Sequence, residues 1–451
     1  PFGCGGGGCG LRGDRDHPRS RVCGVGDSLA SAPISAGRVT LKIVFLLTQD
    51  LESPSGLGRY YPLARELAVL GHNVTVYALH PNFDHVSPKE RSTGNLKVVY
   101  VAPMHVRKSG NMKTYYNSNQ LLWVAIRATW ALFRAAIRER PDIIWVGKPH
   151  PMNSIAGILA KWRWGCRLYL DCDDDEAGSG NFQTATQQKI IEWFEATVPR
   201  SADCITINTF FTLEKMTRRG ISREKLYYLP NGVDLERFAT LPESGEIEAL
   251  KSRLGLEGKQ VISYIGSMSL ANHAVDLLID AFEIVLYDHT DLRLLLVGSG
   301  EDFEQLKLVT KAKGISDKVI FTGRVAPHEV SLYYRLSMVS VDPVYNNEAA
   351  KGRSPLKMFE AWACGVPFLT ADVGDRSYLA GNPPAAVLVI PGNKSSLAQG
   401  LLSILDDSST KETLINRGNQ QIGQFTWSKL GEDIFFTMGK HALNTSGKLK
   451  S

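Results

Sequence analysis

No stretch of this chain approaches the run of about twenty apolar residues that would cross a bilayer, so a membrane span is not expected. Cysteine is sparse, with 7 in 451 residues, and no pair stands at zinc-ligand spacing. Cys166, Cys172, Cys204 and Cys364 fall in or beside expected strands and helices, where buried thiols are usual. That usage points to a reducing, cytoplasmic setting. Residues 1–37 lack apolar periodicity, are rich in Gly, Arg and Ser, and carry Cys4, Cys9 and Cys23. They hold no apolar core of a signal peptide and read as a disordered or non-native extension. Two glycine turns lack what a dinucleotide site needs. Gly56-Leu57-Gly58 has Tyr61, and Gly298-Ser299-Gly300 has Phe303, where a third glycine would fall. A nicotinamide enzyme is therefore not expected. A nucleic-acid partner is not expected either, because no recognised module is present.

What is there is an ordinary globular composition, 43% hydrophobic and 22% charged, long enough for two or three domains. The net charge of +5 hides an asymmetry. Residues 1–230 hold 29 Lys and Arg against 20 Asp and Glu, whereas residues 231–451 hold 22 against 26. Val101–Leu170 alone has 11 basic and 2 acidic side chains. A basic first half suggests an anionic partner such as a lipid phosphate or a membrane surface. A helix expected over Gln120–Arg140 adds to this. Trp123, Arg127, Trp130, Arg134 and Arg138 share a stripe opposite Leu121, Ala128, Leu132 and Ala136. Outward tryptophan with arginine suits a lipid headgroup layer, and hence the inner face of a cell membrane. The plainer reading is Arg stacked on Trp at a protein surface.

From Leu41 onward, short apolar strands alternate with helices up to Leu229, and the alternation restarts at Val261. This pattern predicts two tandem Rossmann-like, doubly wound parallel sheets of an α/β protein, with ligand sites at facing strand ends. The expected limits are 38–230 for the first domain and 231–424 for the second. A last helix, 425–451, is expected to return to the first domain. Within the second domain, Ser354-Pro355-Leu356-Lys357-Met358-Phe359-Glu360 reads as a firmly started helix. Ser354 suits the N-cap and Pro355 the first turn, with Leu356, Phe359 and Ala363 facing inward. Such an N-terminus favours an anion, and Glu360 behind it can accept hydrogen bonds from hydroxyls. The plainer reading makes Lys357 and Glu360 a surface pair.

These motifs together resemble the family-4 glycosyltransferases of GT-B fold. The resemblance rests on Leu229–Phe238 (LPNGVDLERF), Leu294–Asp302 (LLLVGSGED), Phe321-Thr322-Gly323 and Glu360–Pro367, in order and spacing. It implies a retaining, metal-independent transfer of sugar from a nucleotide-sugar, which is a substrate and not a cofactor, to a lipid-linked or glycan acceptor. Donor contacts are then expected at Gly266, Ser267, His273, Gly298, Arg324, Arg353, Ser354, Pro355, Leu356, Lys357 and Glu360. Two departures stand out. Where the family usually has a glutamate eight positions before Glu360, this chain has Gly352. Where many members grip the diphosphate with Arg and Lys, it offers Ser267 and His273, with Lys351, Arg353 and Lys357 nearby to supply charge.

The acceptor side is expected in the first domain, at Ser55, Gly56, Gly58, Lys148 and Asp174. His150 and the acidic run Asp171–Glu176 follow strands at the same edge, and His150, Asp171 and Asp173 are the expected catalytic residues; the plainer reading of His150 is a loop-packing residue. Asp171 or Asp173 could assist deprotonation of an acceptor hydroxyl; the plainer reading is a solvated acidic loop. Three other classes are compatible with parts of the pattern. A nucleotide-sugar epimerase shares the two-domain layout, and Gly352 would suit a non-catalytic binding protein. The Asp-x-Asp at Asp171 and Asp173 would suit a metal-dependent transferase, but tandem sheets argue against that fold.

Overall fold

The structure, a computed structural model, describes residues 40–446 apart from 54, 55, 110, 111, 175 and 180–183. The N-terminal extension and Ser55 therefore lie outside the described residues. The first half builds β1 (Lys42–Leu47), β2 (Asn73–His80), β3 (Glu90–Thr93) and β4 (Leu96–Pro103). A hairpin of β5 (Val106–Ser109) and β6 (Met112–Tyr115) follows, then β7 (Ile143–Gly147), β8 (Arg167–Cys172), β9 (Cys204–Ile207) and β10 (Leu226–Tyr228). The helices of this half are α1 (Tyr61–Val69), α2 (Ser118–Glu139), α3 (Pro151–Trp164), α4 (Glu176–Ser179), α5 (Ala185–Ser201) and α6 (Phe210–Arg218).

The strand order is β10-β9-β8-β7-β1-β2-β4-β3. Every pairing is parallel except that of β3, which runs antiparallel to β4 at the edge. β3 and the hairpin are additions to the expected pattern. The four residues of β3 are all exposed, so no apolar alternation marks them in the sequence. The inner strands, by contrast, are mostly apolar because helices cover both faces. α2, α3 and α5 cover one face, around Ala128, Ala156, Leu168 and Val198. α1 and α17 (Trp427–Ser446) cover the other, around Phe45, Leu63, Trp145 and Leu430. α2 starts at Ser118 rather than Gln120, because Asn117 and Gln120 form a reciprocal capping box. Its buried residues include Ala128, Leu132 and Ala136, while Trp123 and Trp130 are exposed.

The second half holds β11 (Gln260–Ile265), β12 (Leu292–Val297), β13 (Val319–Gly323), β14 (Val339–Asp342), β15 (Phe368–Ala371) and β16 (Val387–Val389). They form a wholly parallel sheet in the order β13-β12-β11-β14-β15-β16. Helices α7 (Leu235–Phe238), α8 (Glu246–Leu254), α9 (Val275–Val285), α10 (Phe303–Ala312) and α11 (Val330–Arg335) belong to this half. So do α12 (Glu348–Lys351), α13 (Leu356–Ala363), α14 (Arg376–Ala380), α15 (Lys394–Leu405) and α16 (Ser408–Gln421). The described residues from Thr40 onward belong to one compact unit. The chain passes between the sheets at Leu229–Asp234 and returns at Phe425–Trp427. The two passages are stitched together: Val233 N–H donates to the Phe425 carbonyl (2.8 Å), and Trp427 N–H donates to the Val233 carbonyl (3.2 Å).

Beside this double crossing lies a buried ion pair. Arg59, at the end of the glycine loop after β1, donates through Nε and Nη2 to both oxygens of Asp171 (2.7 Å each). Arg59 is 2% exposed and Asp171 is 0% exposed. The same guanidinium donates to the carbonyls of Leu229 and Pro230 and to Asn231 Oδ1. Breaking one side of such a pair leaves a buried charge unmatched and costs about 3–5 kcal/mol. Asp171→Asn should therefore lower unfolding stability by about that amount in a urea titration. An unchanged transition midpoint would show that the pair is energetically idle.

Candidate active site

The helix expected to start at Pro355, with Ser354 as its cap, starts one residue later. α13 starts at Leu356, with Pro355 as its boundary residue and no side-chain cap. The hydroxyl of Ser354 is used elsewhere: it accepts the backbone N–H of Asn231 (3.1 Å), while Asn231 Nδ2 donates to the Ser354 carbonyl (3.1 Å). A residue expected to cap a helix thus clamps the interdomain passage to it. The inward face also differs. Met358, Phe359, Ala361 and Trp362 are buried, while Leu356 turns toward the glycine loop of the first half. A Cβ on Gly58 would fall 2.6 Å from Leu356 Cδ2, so Gly58 lets the loop close on the start of α13.

Around that point the second half gathers positive charge. Lys357 Nζ donates to Asp342 Oδ1 (2.9 Å) at the end of β14, and Arg376 donates to Asp342 Oδ2 (3.0 Å). Burial alone would raise the Asp342 carboxyl, but Lys357 and Arg376 hold it below the usual carboxylate range. Arg353 donates to the Asn272 carbonyl and side chain, tying itself to the loop after β11. His273 on that loop is pushed well below the usual histidine range by burial and by Lys357 and Arg353. It is therefore neutral and adds no charge near pH 7. A Cβ on Gly266 would lie 2.6 Å from Lys357 Cε, so the glycine admits the lysine against its backbone. Gly298 serves packing, since a Cβ there would sit 2.0 Å from the Gly266 carbonyl oxygen. Glu360 accepts from Tyr334 Oη (2.9 Å), and burial raises its carboxyl above the usual range against the pull of Arg237. Ser267 and Arg324 are exposed, the first on the loop after β11 and the second just after β13.

Across the gap, at the carboxyl ends of β7 and β8, a second cluster stands. Lys148 adopts a left-handed backbone (φ 65°), a strained state for a residue with a side chain. Its ammonium meets Asp173 (3.5 Å), Asp174 (3.1 Å) and Glu176. His150 bridges Thr48 Oγ1 (3.0 Å) and Glu176 Oε2 (3.0 Å). Asp173, Asp174 and Glu176 offer oxygens close enough to share a metal ion. Lys148 already supplies the cation there, so the residues present fit an ammonium-centred cluster better than a metal. Burial pushes the Asp173 carboxyl up to about 7. For Glu176, burial acts the same way, but Lys148 and His150 outweigh it and hold the carboxyl low. α4, which carries Glu176, packs near α12, just ahead of Gly352 and Arg353.

Lys148, His150, Asp173 and Asp174 therefore stand together, and Gly56 and Gly58 lie at the closing loop rather than beside them. Asp171 is the correction. Its oxygens are taken by Arg59 and Thr206 inside the protein, so it cannot meet a substrate, because β8 has not yet emerged from the sheet at that residue. Asp175 lies outside the described residues. A cavity of about 250 Å³ nearby is lined by Asp50, Glu52, His80, Asn82 and Lys108, beside the carboxyl ends of β1 and β2. Arg59, Asp342 and Arg376 escaped the sequence reading, and Asn231 entered it only as part of the Leu229–Phe238 segment, with no role of its own. Arg59 carried a local signal, directly after the glycine pair.

Comparison with known proteins gives two adjoining matches. The family model described as "Glycosyl transferase 4-like domain" matches residues 55–232, and "Glycosyl transferases group 1" matches residues 246–421. Mannosylfructose-phosphate synthase of Agrobacterium fabrum is 24% identical over 395 residues, 82% of this chain and 83% of that protein. A GDP-mannose-dependent monoacylated alpha-(1-6)-phosphatidylinositol monomannoside mannosyltransferase of Corynebacterium glutamicum is 25% identical over 304 residues, 66% and 76% of the two chains. Among solved structures, sucrose-phosphate synthase from Thermosynechococcus elongatus superposes with a TM-score of 0.70 at 17% identity, covering 90% of this chain and 100% of that one. That likeness speaks to fold.

The ammonium-centred cluster makes a prediction about pH. A carboxyl raised in the fold binds a proton that the unfolded chain does not, so it adds stability as pH falls. For Asp173 that window runs from about 7 down to the ordinary carboxylate value of 3.8. In Lys148→Met three carboxylates lose their counter-ion. The gain on acidification should then be larger and begin at higher pH, measured by urea unfolding from pH 8 to pH 5. Parallel profiles for variant and parent would refute a charge-balancing role for Lys148.

Proposed function

The chain belongs to glycosyltransferase family 4 and has the GT-B fold, and on that premise we propose that it transfers a sugar, with retention and without a metal, from a nucleotide-sugar to a lipid-linked or glycan acceptor at a membrane surface. The carrying observation is the convergence on one point of the α13 N-terminus, Lys357, Arg353 and the Gly266–His273 loop, with Gly58 closing from the other side. Departure of a nucleoside diphosphate builds negative charge on the leaving oxygens. Fixed cations and helix N–H groups at that point stabilise the charge without reorganising. In the retaining route implied by the family resemblance, the departing phosphate oxygen takes the acceptor proton on the same face. The chain's task is then to position the partners and exclude water. The acceptor hydroxyl would approach from the Lys148 cluster, where Asp174 is the more exposed carboxylate and Asp173 titrates near neutrality. The nearby cavity at Asp50 and Glu52 would suit the hydroxyls of the acceptor's polar part. The names of the relatives, which include a GDP-mannose-dependent phosphatidylinositol monomannoside mannosyltransferase, support a nucleotide-sugar donor and a lipid-linked or glycan acceptor.

Glu360 is assigned the donor ribose. Glu360→Ala should weaken nucleotide-sugar binding by roughly 1.5–3 kcal/mol for each hydrogen bond lost, read by calorimetry against a panel of nucleotide-sugars. Equal affinity in variant and parent would remove Glu360 from the donor site.

Turnover of the donor should persist in excess chelator, because Lys357 and Arg353 stand where a metal would otherwise neutralise the diphosphate. Loss of turnover in chelator, with rescue by Mn²⁺, would overturn the metal-free reading. The anomeric configuration of the product, read by NMR, tests retention.

A further inference from the structure

Four of the chain's eight tryptophans are largely exposed: Trp123 (73%), Trp130 (59%), Trp162 (76%) and Trp193 (61%). All four lie on α2, α3 and α5, the helices that cover one face of the first sheet. On each helix they continue an outward apolar row at helical spacing. These rows are Trp123, Ile126 and Trp130 on α2; Ile155, Leu159 and Trp162 on α3; and Ile190 and Trp193 on α5. α3 packs against both α2 and α5, so the rows are neighbours. Helices that bury one apolar face against a sheet normally turn a polar face to water. Here three adjacent helices turn tryptophan, isoleucine and leucine outward, and such a patch marks an interaction surface.

We propose that the outward faces of α2, α3 and α5 form one docking surface for an anionic lipid bilayer, with Trp162 and Trp193 seated in the headgroup layer alongside Trp123 and Trp130. This rests on the membrane-surface reading above and extends it beyond the single stripe on α2. Charge selects the occupant. Arg127, Arg134, Arg138, Arg163 and Lys189 are exposed on these helices, and Glu192 is their one exposed acid. A basic rim around an aromatic and aliphatic centre complements anionic headgroups over acyl chains. A second copy of the chain would set like charges against each other, since a two-fold interface pairs a surface with itself. Position fits as well. Tyr115 ends β6 and Asn117 caps α2, so the docking helix continues directly from the hairpin whose Lys108 lines the cavity at Asp50. A chain docked on this face would hold that cavity close to the bilayer.

The test uses the full chain with vesicles of phosphatidylcholine, alone or with roughly one third phosphatidylglycerol. The parent should co-sediment with the anionic vesicles, and brominated lipid should quench its tryptophan emission. The double variants Trp162→Ser/Trp193→Ser and Trp123→Ser/Trp130→Ser should each lower partitioning by about ten-fold or more, with thermal stability and nucleotide-sugar binding unchanged. Parent-like sedimentation of the Trp162/Trp193 variant would overturn the three-helix face. A parent that elutes as a dimer, and becomes a monomer when the tryptophans are replaced, would overturn it in favour of a second copy. A parent that ignores every vesicle yet still hydrolyses a nucleotide-sugar would reject the docking surface while leaving glycosyl transfer standing. Failure of donor turnover would instead strike at the functional reading itself.

Discussion

The pair between Arg59 and Asp171 is the contact on which the arrangement of the cleft depends. One guanidinium, withdrawn from water, answers a carboxylate at the end of β8, two carbonyls of the first crossing and the side chain of Asn231. Asn231 in turn holds Ser354, immediately before α13. Trp427, on the returning passage, donates its indole N–H to the Gly58 carbonyl (2.9 Å). The glycine loop, the hinge, the anion-facing helix and the last helix therefore share one connected set of bonds. A buried charge that is satisfied only when all these segments are in place rewards a single arrangement, because every partial arrangement leaves it unmatched.

The two faces of the cleft use a similar device for opposite ends. On each, a lysine at the carboxyl edge of a parallel sheet is set among carboxylates. Around Lys357 positive charge gathers: Arg353 and Arg376 stand near it, Asp342 accepts from it, and Glu360 lies within its electrostatic reach. That side remains receptive to an anion. Lys148 faces three carboxylates, so its side remains receptive to hydroxyl donors and keeps phosphate away. Under the proposed function, this difference assigns the diphosphate end to the second half and the hydroxyl end to the first. It arises from charges placed by the ends of β7, β8 and β14, independent of net composition.

Much of this was legible from local pattern. The strands Cys204–Ile207, Leu292–Val297 and Val387–Val389 coincide with short, largely apolar runs, because strands of a covered parallel sheet need mostly apolar sequence. Glu360 and Lys357 were visible from their place on a short helix after a Ser-Pro start. β3 was not visible, since an exposed strand carries no burial pattern, and the β5–β6 hairpin was not, since its four-residue strands are too short for one. The α2 stripe was legible as helical spacing. Its extension across α3 and α5 was not, because nothing in one helix's spacing says which helices will lie beside it.

The sequence by itself determined what depends on near neighbours: the alternation of strands and helices, the glycine turns, and the charge imbalance between halves. Tertiary structure decided what depends on distant partners. Asp171 read as a reactive carboxylate until Arg59, 112 residues away, was found to consume both its oxygens. Ser354 read as a cap until Asn231, 123 residues away, took its hydroxyl. Gly58 read as part of an acceptor loop until Leu356 was found against it. A carboxylate or hydroxyl has the same valence in either role, and only the chain brought to it from elsewhere determines whether it meets a substrate or another part of the protein.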